Sequence, residues 1–151
     1  MATSQGTWGY RERFGDAFAR TYFRRFGPGV VSSIGLGTYL GTPTDAVDEG
    51  YRESIVEALS GGVNVVDTAI NYRHQRSERV VGEALDDADV DREEVVVATK
   101  GGFVPFDGSH PEDPAAYVRS EFVDSGLLSP ADLARGSHAI TPDFLEAMLD
   151  R

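Results

Sequence analysis

The sequence contains no cysteine, which excludes disulfides, thiolate metal sites and cysteine nucleophiles together. Any chemistry falls to oxygen and nitrogen side chains, and redox work needs a borrowed cofactor. Long apolar runs are also missing. Stretches such as Val95 to Ala98 are far below the roughly 20 residues of a membrane helix, and the N-terminus lacks the basic-then-apolar pattern of a secretory signal. These absences predict a cytoplasmic protein. Lysine is nearly absent as well: of 14 basic residues, all but Lys100 are arginine. Phosphate binding needs a basic face. The net charge is -11, with acidic residues in short groups such as Asp86, Asp87, Asp89, Asp91, Glu93 and Glu94, so no nucleic-acid partner is expected. Lysine avoidance on a diffuse acidic background fits a salt-adapted, halophilic proteome, in which ionic strength screens self-repulsion. A GC-rich codon bias accounts for the arginines equally well. On either account, the single lysine needs a local reason.

At 151 residues the chain can build one domain with a core. The residues before about Tyr22, including Trp8, Tyr10, Phe14 and Phe18, read as a partly ordered leader. Arg20 to Phe26 and Val30 to Leu36 are β-prone stretches around Gly27, Pro28 and Gly29, which predicts a hairpin. Asp48 to Ser60 has helical apolar spacing and stops at Gly61 and Gly62. A strand is expected at Val63 to Val66, a helix at Ser77 to Leu85 with Ser77 as its cap, and an unbroken apolar strand at Val95 to Thr99. The order β, α, β, α, β predicts an α/β fold, either an open sheet or part of a barrel. Beyond Gly101 and Gly102 a polar, proline-containing stretch leads to helices at Ala115 to Ser125 and Thr141 to Leu149.

Three polar residues fall where parallel α/β folds place function. Asp67 and Lys100 each follow directly on a predicted strand, and Tyr72 lies in the loop five residues after Asp67. Side chains at the carboxyl ends of neighbouring strands converge on one face. A lysine beside a phenol favours the phenolate, and an aspartate keeps the lysine charged and oriented. Tyr72 then becomes a proton donor for a carbonyl oxygen, with hydride supplied by a bound nicotinamide. Two other readings stand beside this one. Each residue could be an ordinary polar group at a strand end, or Lys100 could be a Schiff-base nucleophile, although that chemistry needs a desolvated amine and Asp67 is close in the expected fold.

The residues themselves resemble the aldo-keto reductases. Ile34 to Tyr39 looks like the family's first barrel strand, Asn64 to Tyr72 its aspartate-to-tyrosine signature, Ser77 to Leu85 the following helix and Val97 to Lys100 its lysine strand. The resemblance implies part of a (β/α)8 TIM barrel, with an N-terminal hairpin plugging its bottom and about three βα units after it. Residues 1–29 would be leader and start of the hairpin, and residues 30–151 the barrel part. It implies Tyr72 as general acid tuned by Lys100 and Asp67, NADPH as cofactor near Gly37, Thr38, Tyr39 and Asp67, and a small aldehyde or ketone as substrate.

The family's fourth catalytic residue, a histidine on a later strand, has no counterpart here. His74, His110 and His138 follow no apolar strand and are expected as solvated loop residues. A complete barrel takes about 250 residues. The sequence therefore reads as a truncated reductase with weak or absent cofactor binding. Its core-facing residues, among them Val63, Val65, Val95 and Val97, would lack an opposite wall, and self-association or a complementing barrel half would follow. The alternatives are a non-catalytic interaction or regulatory module on the same half-barrel and an unrelated open-sheet binding domain.

Overall fold

A computed structural model describes residues 1–151. Its first element overturns the expected loose leader: α1 (Ser4–Arg13) is a helix whose N-cap Thr3 accepts a hydrogen bond from the Gly6 amide at 3.0 Å. Gly6 is required by contact, since a Cβ there would lie 2.4 Å from the Glu93 carbonyl oxygen. Tyr10 is wholly buried and donates its hydroxyl to the carbonyls of Leu59 at 2.5 Å and Val63 at 3.1 Å. Burial pushes its phenol well above the ordinary range. Tyr10, Phe14, Phe18, Tyr22 and Phe23 pack ring against ring. The aromatics that look scattered in a polar leader are thus one cluster tying it down.

The hairpin forms as expected, with β1 (Phe23–Phe26) antiparallel to β2 (Gly29–Ser32) and Gly27 at a φ of +57° opening the two-residue turn. A separate parallel sheet follows, in the order β3 (Leu36–Gly37), β4 (Val65–Asp67) and β5 (Val96–Ala98). The apolar stretch Val30 to Leu36 is therefore divided between two sheets. Helices α2 (Asp45–Ser60) and α3 (Arg76–Asp87) connect the parallel strands. α2 starts earlier than its apolar spacing predicts, with Asp45 and Asp48 in a first turn that favours negative charge. Ser77 does not cap α3; Gln75 precedes the helix in a left-handed conformation, and the Ser77 hydroxyl donates to the Thr38 carbonyl at 2.7 Å.

Ile55, Leu59, Val66, Val80, Val81, Ala84 and Val95 form one core between the helices and the sheet, with Leu36 and Val97 against it. Each fully buried valine, leucine or isoleucine among them contributes roughly 1.5–3 kcal/mol relative to exposure. Val95 is therefore buried, contrary to the expectation that it lacks a wall, and the half-buried Val97 packs against the same core, because strand alternation turns both with Val66 toward the helices. Val65 and Val96 lie opposite each other on the other face and remain half-buried, as does Val63. A second core of Ile70, Val104, Phe122, Leu128, Ala139, Phe144 and Met148 draws on loops and on α5 (Pro142–Leu149) and the π-helical segment Arg119–Val123, with α4 (Pro114–Val118) packed against it through Tyr117 and Val118. The helix expected at Ala115 to Ser125 thus forms from Pro114 to Val123, α-helical in its first half and π-helical in its second. No helix is long and apolar enough to cross a membrane.

Candidate active site

Parallel pairing sets Gly37, Asp67 and Ala98 side by side at the carboxyl end of the sheet. The ladder runs on past the strands, with the Thr68 amide donating to Ala98 at 2.8 Å and the Ile70 amide to Lys100 at 3.2 Å. This continuation brings the Tyr72 loop over the end of β5. Lys100 Nζ donates to Asp67 Oδ1 and to the Thr68 carbonyl, both at 2.7 Å, and stands 5.0 Å from the centre of the Tyr72 ring. Tyr39 packs edge-on against that ring, with centroids 5.0 Å apart. Asp67, Tyr72 and Lys100 therefore meet at one end of the sheet.

The hydrogen bond to Asp67 holds the Lys100 pKa above its ordinary value, partial burial opposes it, and the Tyr72 hydroxyl adds to it. Lys100 stays charged. A nucleophilic amine needs the reverse shift, so the environment disfavours the Schiff-base reading. Both partners of the Lys100–Asp67 pair have half-exposed side chains, so the pair contributes little to stability and acts by orienting the ammonium.

Besides Asp67, the other three residues expected near a cofactor behave differently from one another. Gly37 faces open space, since a Cβ there would meet nothing within 4 Å. Tyr39 is exposed. Thr38 is buried instead; its hydroxyl bonds to Thr68 Oγ1 at 2.9 Å and to the Asp67 carbonyl at 3.2 Å, fastening β3 to β4. Its side chain is a strut.

The sequence reading misses Arg73. Its side chain is buried, paired with Asp48, and donates to the carbonyls of Thr42 at 3.1 Å and Thr44 at 3.4 Å. Arg73, His74 and Gln75 have φ of 48°, 58° and 69° in succession. Left-handed backbone costs a side-chain-bearing residue roughly 1–2 kcal/mol, so tertiary contacts must hold this run. No sequence signal marks it, because one buried arginine is hidden among many exposed ones.

The histidines need a correction. His74 is not a solvated loop residue: it is half-buried, its ring 5.7 Å from Phe106 and 5.6 Å from His110, and its carbonyl accepts from the Gly108 amide at 2.7 Å. His138 is also half-buried, with its ring 3.6 Å from that of Phe103, whereas His110 is exposed. Burial, reinforced by His110, lowers the His74 pKa from its usual 6.5. The folded chain thus binds fewer protons here than the unfolded one, so this contribution is present above pH 6.5 and is lost as pH falls through the window below it. Peptides covering His74 and Gly108 should exchange amide hydrogen faster at pH 5.5 than at pH 7.5 after correction for intrinsic rates, and His74→Gln should remove the excess. An excess retained in His74→Gln would refute the assignment.

A parallel β/α sheet with polar side chains gathered at the carboxyl ends of its strands is the arrangement that β/α barrels and open α/β sheets use for their sites. Residues 33–125 match the Aldo/keto reductase family, and the chain belongs to it, carrying the N-terminal hairpin and about three βα units of the family's barrel. Over 80 residues it is 44% identical to an uncharacterized oxidoreductase of Mycobacterium tuberculosis, covering 49% of this chain and 24% of that protein. It is 40% identical over 80 residues to the NADH-specific methylglyoxal reductase of Escherichia coli, covering 50% and 24%. The chain thus spans about a quarter of the length of these curated relatives. Among solved structures, a glycerol dehydrogenase from Gluconobacter oxydans is similar at 29% identity and a TM-score of 0.47, over 71% of this chain and 35% of that one.

Proposed function

We propose that this segment carries the proton-donating half of an NADPH-dependent carbonyl reductase site, with Tyr72 as general acid and Lys100 and Asp67 tuning it. The observation that carries the reading is the placement of Lys100 Nζ, bonded to Asp67 and poised over the Tyr72 ring. When bound, a nicotinamide cofactor supplies hydride to the substrate carbon. The open space before Gly37 and the exposed Tyr39 leave room for its nicotinamide end beside Asp67, and Thr38 supports that surface from behind. The Tyr72 hydroxyl gives its proton to the oxygen of a small aldehyde or ketone, and the Lys100 ammonium stabilises the phenolate left behind. Asp67 keeps the ammonium charged and aimed. Residues 30–151 form the barrel part in this reading, while residues 1–29 cover its base as leader and start of the hairpin.

The test is a full-length chimera in which this segment replaces the matching part of a curated relative. Carbonyl-dependent oxidation of NADPH, compared with NADH, is the expected result; a folded chimera without it counts against the proposal. A second reading, an interaction or regulatory module, is favoured by the half-buried Val65 and Val96 and the exposed Ile34 and Leu40. Apolar surface and outer strand edges of this kind favour association. The 151-residue chain alone should therefore run larger than a monomer in size-exclusion chromatography with light scattering, in low and in molar salt. Fluorescence titration should show little NADPH binding. A dispersed monomer that binds NADPH tightly and reduces a carbonyl would overturn both expectations.

A further inference from the structure

We propose that Arg73 is the positioning residue of this site, a buried clamp that holds the Tyr72 loop against the Tyr39 loop; the inference rests on the reading of Tyr72 as proton donor. Arg73 follows Tyr72 directly, yet its guanidinium points away from the trio into the turn that precedes α2. There its Nε donates to the Thr42 carbonyl at 3.2 Å, and its Nη2 to the carbonyls of Thr42 and Thr44 and to Asp48. The planar group stands 5.1 Å from the centre of the Tyr51 ring, and the Tyr51 hydroxyl donates to the Leu40 carbonyl at 2.9 Å. Carbonyls 40, 42 and 44 are thus held by two side chains, Tyr51 and Arg73. The same loop begins at Thr38, whose amide and hydroxyl are tied to β4. Tyr39 lies just after this anchor, so both ends of its loop are pinned and its ring is delivered to the edge of Tyr72.

The contacts close a circuit from Tyr72 through Arg73, the Thr42 carbonyl and Tyr39 back to Tyr72. As a stabiliser Arg73 is badly placed. Burying a charge has a large desolvation cost, Arg73 Nη1 has no hydrogen-bond partner, and the backbone from Arg73 to Gln75 is left-handed without a glycine. As a clamp it is well placed, because the planar guanidinium fixes its donors in a rigid fork that holds a carboxylate and backbone carbonyls in set directions, whereas an ammonium has fewer donors on a freely rotating head. Asp48 serves two forks, pairing with Arg73 and accepting from Arg76 Nε at 2.7 Å at the start of α3. The left-handed run is therefore fastened at its first residue and just past its last.

The experiment uses the 151-residue chain and two readouts that tolerate self-association. Photo-oxidative cross-linking reports the Tyr39–Tyr72 distance as dityrosine, mapped by mass spectrometry with Tyr39→Phe as background. Amide exchange reports protection of residues 38–44 and 70–77 against the buried turns of α2 around Ile55 and Leu59. Arg73→Met should lower the cross-link several-fold and speed exchange in both loops together, while α2 stays protected. Arg73→Lys, keeping charge but not the fork, should fall between Arg73→Met and the parent chain. If Arg73→Met loses α2 protection too, Arg73→Lys carries the comparison. A parental cross-link yield in either folded variant overturns the clamp. Neither readout involves turnover, so a failed clamp leaves the role of Tyr72 standing, and an active Tyr72→Phe enzyme would remove that role while leaving the geometry.

Discussion

Tyr72→Phe, made in the full-length chimera, is expected to lower kcat by about 10²- to 10⁴-fold, the range that positioned proton transfer contributes. The substitution removes one hydroxyl and little else. The phenyl ring keeps its edge contact with Tyr39 and its face toward Lys100, so the loop geometry and the binding of a carbonyl substrate should be nearly unchanged. Loss should therefore fall on kcat with KM little altered, the signature of an interaction used in the transition state. Lys100→Met should depress the same step strongly by removing the charge that stabilises the phenolate. It should leave thermal stability almost intact, because the Lys100–Asp67 pair is half-exposed. Single-turnover kinetics with excess enzyme separates chemistry from product release. Turnover at the parental rate in both variants would sink the assignment of roles.

Asn64→Leu should cause the largest loss of stability. Asn64 is fully buried and joins three segments: its Oδ1 accepts from the Ser32 amide at 2.8 Å, and its Nδ2 donates to the carbonyls of Glu94 at 3.0 Å and Val30 at 3.4 Å. The leucine matches its bulk and strands all three backbone groups. Each buried group left without a partner costs about 1–3 kcal/mol, so a loss of about 3 kcal/mol or more is expected in urea unfolding at fixed protein concentration. A loss under about 1 kcal/mol, small for even one stranded group, would show that water reaches the junction of hairpin and sheet.

Much of this architecture is legible because strands and helices leave periodic marks. The unbroken run around Val95, the apolar spacing from Tyr51 to Leu59 and the glycines of the hairpin each have one physical explanation, and the structure contains the corresponding elements. Where the reading slips, a contact between distant segments has outweighed local pattern. Ser77 has the chemistry of a cap, but the Thr38 carbonyl claims its hydroxyl. The aromatics of α1 look unmoored until Tyr10 meets the carbonyls at Leu59 and Val63, about fifty positions away.

By itself the sequence determined the α/β class, the alternation of strands and helices from the hairpin to Lys100, and the three residues that meet at the strand ends. These follow from side-chain periodicity and from the position of polar residues at the ends of apolar runs, both local properties. Tertiary structure alone decided which valines are buried, that the Thr38 side chain braces the sheet, and that Arg73 with Asp48 holds the Tyr72 loop. Those outcomes depend on which face a strand presents and on which backbone carbonyl lies within about 3 Å of a donor. A hydrogen bond between residues thirty or more positions apart leaves no period in the chain, so it can be read only once the chain has folded.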